Sequence, residues 1–156
     1  MSGTPAKLCF RPIDQEFLAL SYQWLSDDVF RAQIMAPKPD AKLQQEWYEG
    51  LQKRNDYFIE GLIVNSVWIG AWGLKNINRR EKRAEYWGYI YPQAFRGIGL
   101  GTQVHHRAIQ ITRVIILRYL YLKVSKTNQS AISAYESWGY LVIDETPEEL
   151  IMELCI

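Results

Sequence analysis

Long apolar runs are missing from this 156-residue chain, and cysteine is scarce. No stretch approaches the roughly 18 consecutive apolar residues of a membrane span. The opening MSGTPAKLCFRPID also lacks the charged-then-apolar pattern of a secretion signal. A soluble, cytoplasmic protein with no membrane partner is the expectation. Only two cysteines occur, Cys9 and Cys155, and neither has a thiol or histidine beside it at a metal-ligand spacing. Free thiols, no disulfide framework and no metal follow from that. An excess of charge is missing too, since 18 basic residues face 17 acidic ones for a formal net charge of +1. Holding nucleic acid through its phosphates requires a basic field, so no nucleic-acid partner is expected. With no low-complexity linker and no internal repeat, the length predicts one domain over residues 1–156.

Aromatic residues, by contrast, are plentiful: six Trp and ten Tyr exceed what a small core usually needs, so some should line a cleft. The segment 8–13 alternates as a strand and ends at Asp14, a candidate helix N-cap. Phe17, Leu18, Ser21, Tyr22 and Leu25 then recur at helical spacing until Ser26-Asp27-Asp28 stops the pattern. After a proline-rich turn, Asp40 caps a second helix whose face is Leu43, Trp47 and Leu51. Two β-rich runs, 56–65 and 66–77, meet at Asn65-Ser66 and read as an antiparallel hairpin. The charge run 78–83 reads as a solvated loop or, alternatively, a grip on an acidic acceptor; a third long strand follows over 84–91. Residues 99–116 form a helix, 118–125 a strand, 128–139 a short helix closed by Gly139, and two strands finish the chain. This order predicts an α/β (α+β) fold, a mixed and mostly antiparallel sheet of about seven strands flanked by about four helices.

The stretch PQAFRGIGLGTQVHH (92–106) places glycines at 97, 99 and 101 where a strand gives way to a helix. Glycine alone takes positive φ freely and lets a ligand press against main chain, and a helix N-terminus offers unpaired N–H groups to phosphate. A dinucleotide fingerprint would need glycine at 102, which is Thr102, and a P-loop would need lysine after Gly101. Neither fits. Arg96-x-x-Gly99-x-Gly101 does match the Arg/Gln-x-x-Gly-x-Gly/Ala signature of the GCN5-related N-acetyltransferase (GNAT) superfamily. Asn128, Ala131, Tyr135, Gly139 and Tyr140 match a second family element. The chain therefore resembles this superfamily over almost its whole length.

The resemblance implies a GNAT fold and an acyltransferase that moves an acetyl group from acetyl-CoA to a primary amine, without a metal. Main-chain amides of Arg96, Gly97, Ile98, Gly99, Leu100, Gly101 and Thr102 would hold the pyrophosphate, with Asn128 on the cofactor side. The pantetheine arm would pair with Ile90 and Tyr91, the N–H near Ile90 would polarise the carbonyl, and Tyr135 would protonate the leaving thiolate. Gly88 is a natural bulge where the sheet would splay. Glu85 and Glu60 are candidate bases; His105 and His106 are poor ones, because the dipole at a helix N-terminus disfavours added positive charge.

The helical first half is the acceptor side in the superfamily. Its Trp24-to-Arg31 element, with Asp27 and Asp28, and the strand core YWGYIY resemble the branch with ribosomal-protein N-terminal acetyltransferases and nucleotide-linked 4-amino-sugar acetyltransferases of the pseudaminic-acid type. A UDP- or TDP-4-amino sugar would need aromatic faces and cations for its diphosphate. Trp24, Arg31, Trp72, Tyr86 and Trp87 are the candidates, with Trp47, Tyr48, Lys75, Arg79 and Arg80 as further ones. A protein N-terminus as acceptor, and a non-catalytic CoA-binding sensor, are the alternatives. A homodimer is a further expectation, because the C-terminal strand could pair across an interface.

Overall fold

In the computed structural model, residues 7–156 are described. Strand β1 (Leu8–Arg11) leads into helices α1 (Gln15–Leu25), α2 (Asp28–Gln33) and α3 (Ala41–Gly50). Strands β2 (Phe58–Val64), β3 (Val67–Asn78) and β4 (Arg83–Ile90) follow, then α4 (Leu100–Val114), β5 (Tyr119–Ser125), α5 (Gln129–Ser137), β6 (Leu141–Glu145) and β7 (Glu149–Cys155). All seven strands join one sheet in the order β1-β2-β3-β4-β5-β7-β6, and only β4 and β5 run parallel. Among the described residues no helix is long and apolar enough to cross a membrane.

Local chemistry sets most boundaries. Asp14 accepts the Phe17 N–H and Asp40 the Leu43 N–H, so both anticipated caps close free donors at helix starts. Asn65 and Ser66 both take left-handed φ, 52° and 66°, which is what a two-residue hairpin turn requires. Helix α2 was not expected. Ser26 caps the end of α1, and the carboxylate of Asp27 just after it accepts from the Val29 and Phe30 N–H groups and starts a new helix that buries Phe30.

Each face of the sheet carries its own core. Leu62, Trp72, Leu74 and Leu120 pack under α4 and α5 on one side, while Phe17, Leu18, Trp24 and Phe30 of α1 and α2 cover Ile63, Trp68 and Ala71 on the other. Between β4 and β5 the sheet comes apart. They pair only from Arg83↔Tyr119 to Glu85↔Tyr121, although β4 stays on β3 as far as Ile90 and β5 stays on β7 as far as Ser125. Gly88 is not a bulge: it pairs in register with Trp72, and the irregularities fall at Leu62/Ile63 in β2 and at Lys75/Asn78 in β3. The parting comes from where β5 stops following β4.

Candidate active site

A cleft of about 540 Å³ fills the gap between β4 and β5. Glu85 lies at its closed end, the glycine loop at its mouth, and Tyr135 and Asn128 of the α5 segment along one wall. From Tyr86 to Ile90 the strand covers roughly 13 Å at the usual rise per residue. The Tyr91 N–H bonds the Ile69 carbonyl on the β3 side. Backbone direction alternates along a strand, so the N–H groups of Gly88 and Ile90 point the other way, into the cleft.

At the mouth, Gly97 (φ 70°) and Gly99 (φ 88°) take left-handed backbone, and a Cβ at either would meet nothing within 4 Å. Gly99 is the N-cap of α4 with no side-chain cap, so the first amides of a 15-residue helix are left for an anion. Leu100 is buried in the core and pins the turn, whereas Ile98, Gly101 and Thr102 are exposed around it. Arg96 does more than lend its backbone. Its guanidinium donates to the Ile90 carbonyl at 2.8 Å and to the Tyr91 carbonyl, and lies over the Phe30 ring of α2 at 5.3 Å. One side chain thus ties the loop to the end of β4 and to the α1–α2 side. A bare helix terminus leading into a slot edged by unpaired strand amides fits a phosphate-bearing cofactor with a long amide arm.

Comparison with known proteins accords with that geometry. The Acetyltransferase (GNAT) family profile matches residues 19–140. The chain belongs to the GNAT acetyltransferase family. Among solved structures, spermidine N-acetyltransferase from Vibrio cholerae in complex with CoA and spermine superposes with a TM-score of 0.86 at 18% identity, covering 95% of each chain. PaiA N-acetyltransferase from Thermoplasma acidophilum in complex with coenzyme A gives 0.75 at 19% identity over 96% of this chain and 99% of that one. PseH N-acetyltransferase from Campylobacter jejuni gives 0.71 at 18% identity over 96% and 97%. Compared by sequence with curated proteins, the chain has no match. As a GNAT enzyme it uses acetyl-CoA, which supplies an acyl thioester, as cosubstrate for transfer to an amine.

Within this GNAT cleft the anticipated residues separate. Glu85, only 6% exposed, accepts from Asn76 Nδ2 at 3.2 Å and faces Lys75 Nζ at 3.5 Å. Asn76 was missed by sequence reasoning; its left-handed φ of 53° at the β3 irregularity, a conformation asparagine tolerates, was the available signal. Tyr135 lines the cleft, and burial raises the pKa of its hydroxyl, so it carries its proton at neutral pH. Asn128 caps α5 by accepting the Ala131 N–H. Tyr86, Trp87 and Ile90 line the cleft as well.

Other expectations are corrected. Glu60 lies outside the cleft, toward α4, where Arg107 binds both its oxygens at 2.9 and 2.8 Å and Trp72 Nε1 donates to it at 3.1 Å. Its carboxylate is committed to bracing α4 against the sheet. Trp72 has 0% exposure and offers no face to a ligand. Trp24 is buried in a stack on Tyr91, with centroids 5.7 Å apart. Tyr91 itself donates to Asp27 at 3.0 Å, outside the cleft lining. Arg31 donates to the Leu25 carbonyl and to Asp28, fastening the α1–α2 corner. Trp47 and Tyr48 pack into the α1–α2 core, and Arg79 and Arg80 are exposed in the β3–β4 turn. In their place the structure brings Phe30, Gln33 and Met35 from the α2 region, Lys123 and Glu149 to the cleft. His105 is buried, and desolvation lowers its pKa to about 4.

Proposed function

We propose that this enzyme acetylates the amino group of a sugar carried on a nucleoside diphosphate, with Glu85 as base and Tyr135 as acid. The observation that supports this acceptor is the charge around the cleft. Its lining holds three cations, Lys75, Arg96 and Lys123, against two carboxylates, Glu85 and Glu149. That excess of one positive charge favours an amine on an anionic carrier over a polyamine. Trp87 and Tyr89, stacked with centroids 6.3 Å apart beside Glu85, give an aromatic wall for a sugar ring or base.

Glu85 takes a proton from the acceptor ammonium, directly or through water, so that the neutral amine attacks the thioester carbonyl. The Ile90 N–H polarises the carbonyl oxygen as the C–N bond forms. The nitrogen of the tetrahedral intermediate gives up its second proton to water; when the C–S bond breaks, the Tyr135 hydroxyl gives its proton to the departing sulfur and recovers one from solvent.

A protein N-terminus as acceptor would call for acidic residues near the peptide amine, and Asp27, Asp28 and Glu60 are the candidates. Asp27 is spent on capping α2 and on Tyr91, and Asp28 pairs with Arg31 at the surface of the α1–α2 corner, away from the cleft lining. The test is Lys75→Glu assayed with a UDP-4-amino sugar and with spermidine. The sugar KM should rise by about tenfold, the worth of one charged contact near a surface, and spermidine turnover should improve. A sugar KM unchanged by Lys75→Glu would reject the anionic-carrier reading.

A further inference from the structure

A buried histidine lies behind Tyr135 and has no part in the steps above. His105, in the second turn of α4, is 4% exposed. Its Nε2 stands 2.9 Å from the Tyr140 hydroxyl, its ring stacks on Trp138 with centroids 4.4 Å apart and planes at 15°, and Tyr86 meets it edge-on at 5.4 Å. Both Trp138 and Tyr140 touch Tyr135, at centroid distances of 5.6 and 5.8 Å.

These contacts form a chain with a direction. Tyr135 has no hydrogen bond to another side chain among the described residues, and desolvation is the sole cause of its raised pKa. Its ring orientation is therefore set by the two aromatic neighbours. Those neighbours are held in turn by His105, one by a flat stack and the other by a hydrogen bond. Apolar packing alone would not call for histidine, since a phenylalanine fills similar space without a buried polar nitrogen to satisfy.

We propose that His105 is a positioning residue for acetyl transfer, fixing Trp138 and Tyr140 so that the Tyr135 hydroxyl stays aimed at the thioester sulfur. The inference rests on the reading of Tyr135 as the acid. Displacement of a reacting group by about 1 Å can cost on the order of a hundredfold in rate, so a residue that touches neither substrate can still govern kcat.

The test uses His105→Phe, which keeps a ring on Trp138 and loses the hydrogen bond, and Tyr140→Phe, which loses the same bond with minimal change of shape. Each is made alone and in a Tyr135→Phe background, with thiol release from acetyl-CoA measured against a UDP-4-amino sugar. Alone, each should lower kcat by about tenfold while leaving the acetyl-CoA KM within about twofold, the signature of a lost transition-state contribution. In the Tyr135→Phe background neither should lower it further. An equal fall in both backgrounds would make His105 a structural residue and overturn the proposal. A kcat untouched by Tyr135→Phe alone would instead identify the acid assignment as the part that failed. Independently of any acceptor, 13C-tyrosine spectra of the CoA-saturated protein should show one sharp Tyr135 ring signal that broadens or splits in both single variants. An unchanged signal would also overturn the proposal.

Discussion

Gly99→Val separates what the glycine loop does for the fold from what it does for the ligand. Gly99 has φ 88°, and a Cβ there meets nothing within 4 Å. The free protein therefore suffers no clash, only the strain of a left-handed side-chain residue, about 1–2 kcal/mol. For a domain of this size that is a fall in Tm of roughly 2–8 °C. The ligand loses far more. Gly99 is the N-cap of α4, and a branched side chain at this exposed position stands where phosphate must approach the first helical amides. Two hydrogen bonds to a charged group are worth about 3–6 kcal/mol together, so CoA affinity should fall by more than about a hundredfold. Calorimetric titration with CoA, paired with thermal unfolding, reads both quantities on one sample. A folded Gly99→Val protein with normal CoA affinity would refute the placement of the pyrophosphate at this helix terminus. A Tm loss above about 15 °C would refute the claim that the space around Gly99 is empty.

Glu85→Gln should lower kcat by about a hundredfold or more while CoA binding holds, and raising the pH should recover part of the rate because the amine then loses its proton unaided; a variant of undiminished kcat would remove Glu85 from the chemistry. Tyr135→Phe should lower kcat by about tenfold or more with little change in acetyl-CoA affinity, measured by steady-state kinetics and titration. Acid should destabilise the fold through His105, whose folded pKa of about 4 lies below its ordinary 6.5. Between those values the unfolded chain binds a proton that the folded chain does not, so stability is complete above pH 6.5 and is lost as pH falls toward 4. The gap is worth roughly 3 kcal/mol, and urea unfolding at pH 7 and 4.5 should show a larger acid loss for the native protein than for His105→Phe. Equal losses would mean that His105 is not held neutral by burial.

What the sequence discloses here is what short-range chemistry decides. Asp14 and Asp40 are legible as caps, Asn65-Ser66 as a hairpin turn, and the glycine at 99 as the start of a helix, because each is settled within a few residues. Helix α2 was hidden because one carboxylate, Asp27, sits where a helix ends and another begins, and an aspartate signals a stop as readily as a start. Strand alternation tells which residues share a face, but not which face meets the ligand. Glu60 and Glu85 look alike in their strands, yet one turns to Arg107 on α4 and the other to the cleft. The parting beyond Glu85 was misassigned to Gly88 because it depends on β5, a strand more than 30 residues away in the chain, which diverges from β4 after Tyr121 while staying on β7 throughout. Trp24 and Trp72 were read, with Tyr86 and Trp87, as candidate faces for the acceptor. Trp72 and Trp24 are instead core, as large aromatics most often are.

The most direct test of the account is thiol release from acetyl-CoA with a panel of UDP- and TDP-linked 4-amino sugars, peptides with free N-termini, and spermidine. Turnover with a nucleotide-linked sugar that vanishes in Glu85→Gln is the predicted result. Turnover confined to spermidine or to peptides would contradict the cationic cleft as the determinant of the acceptor.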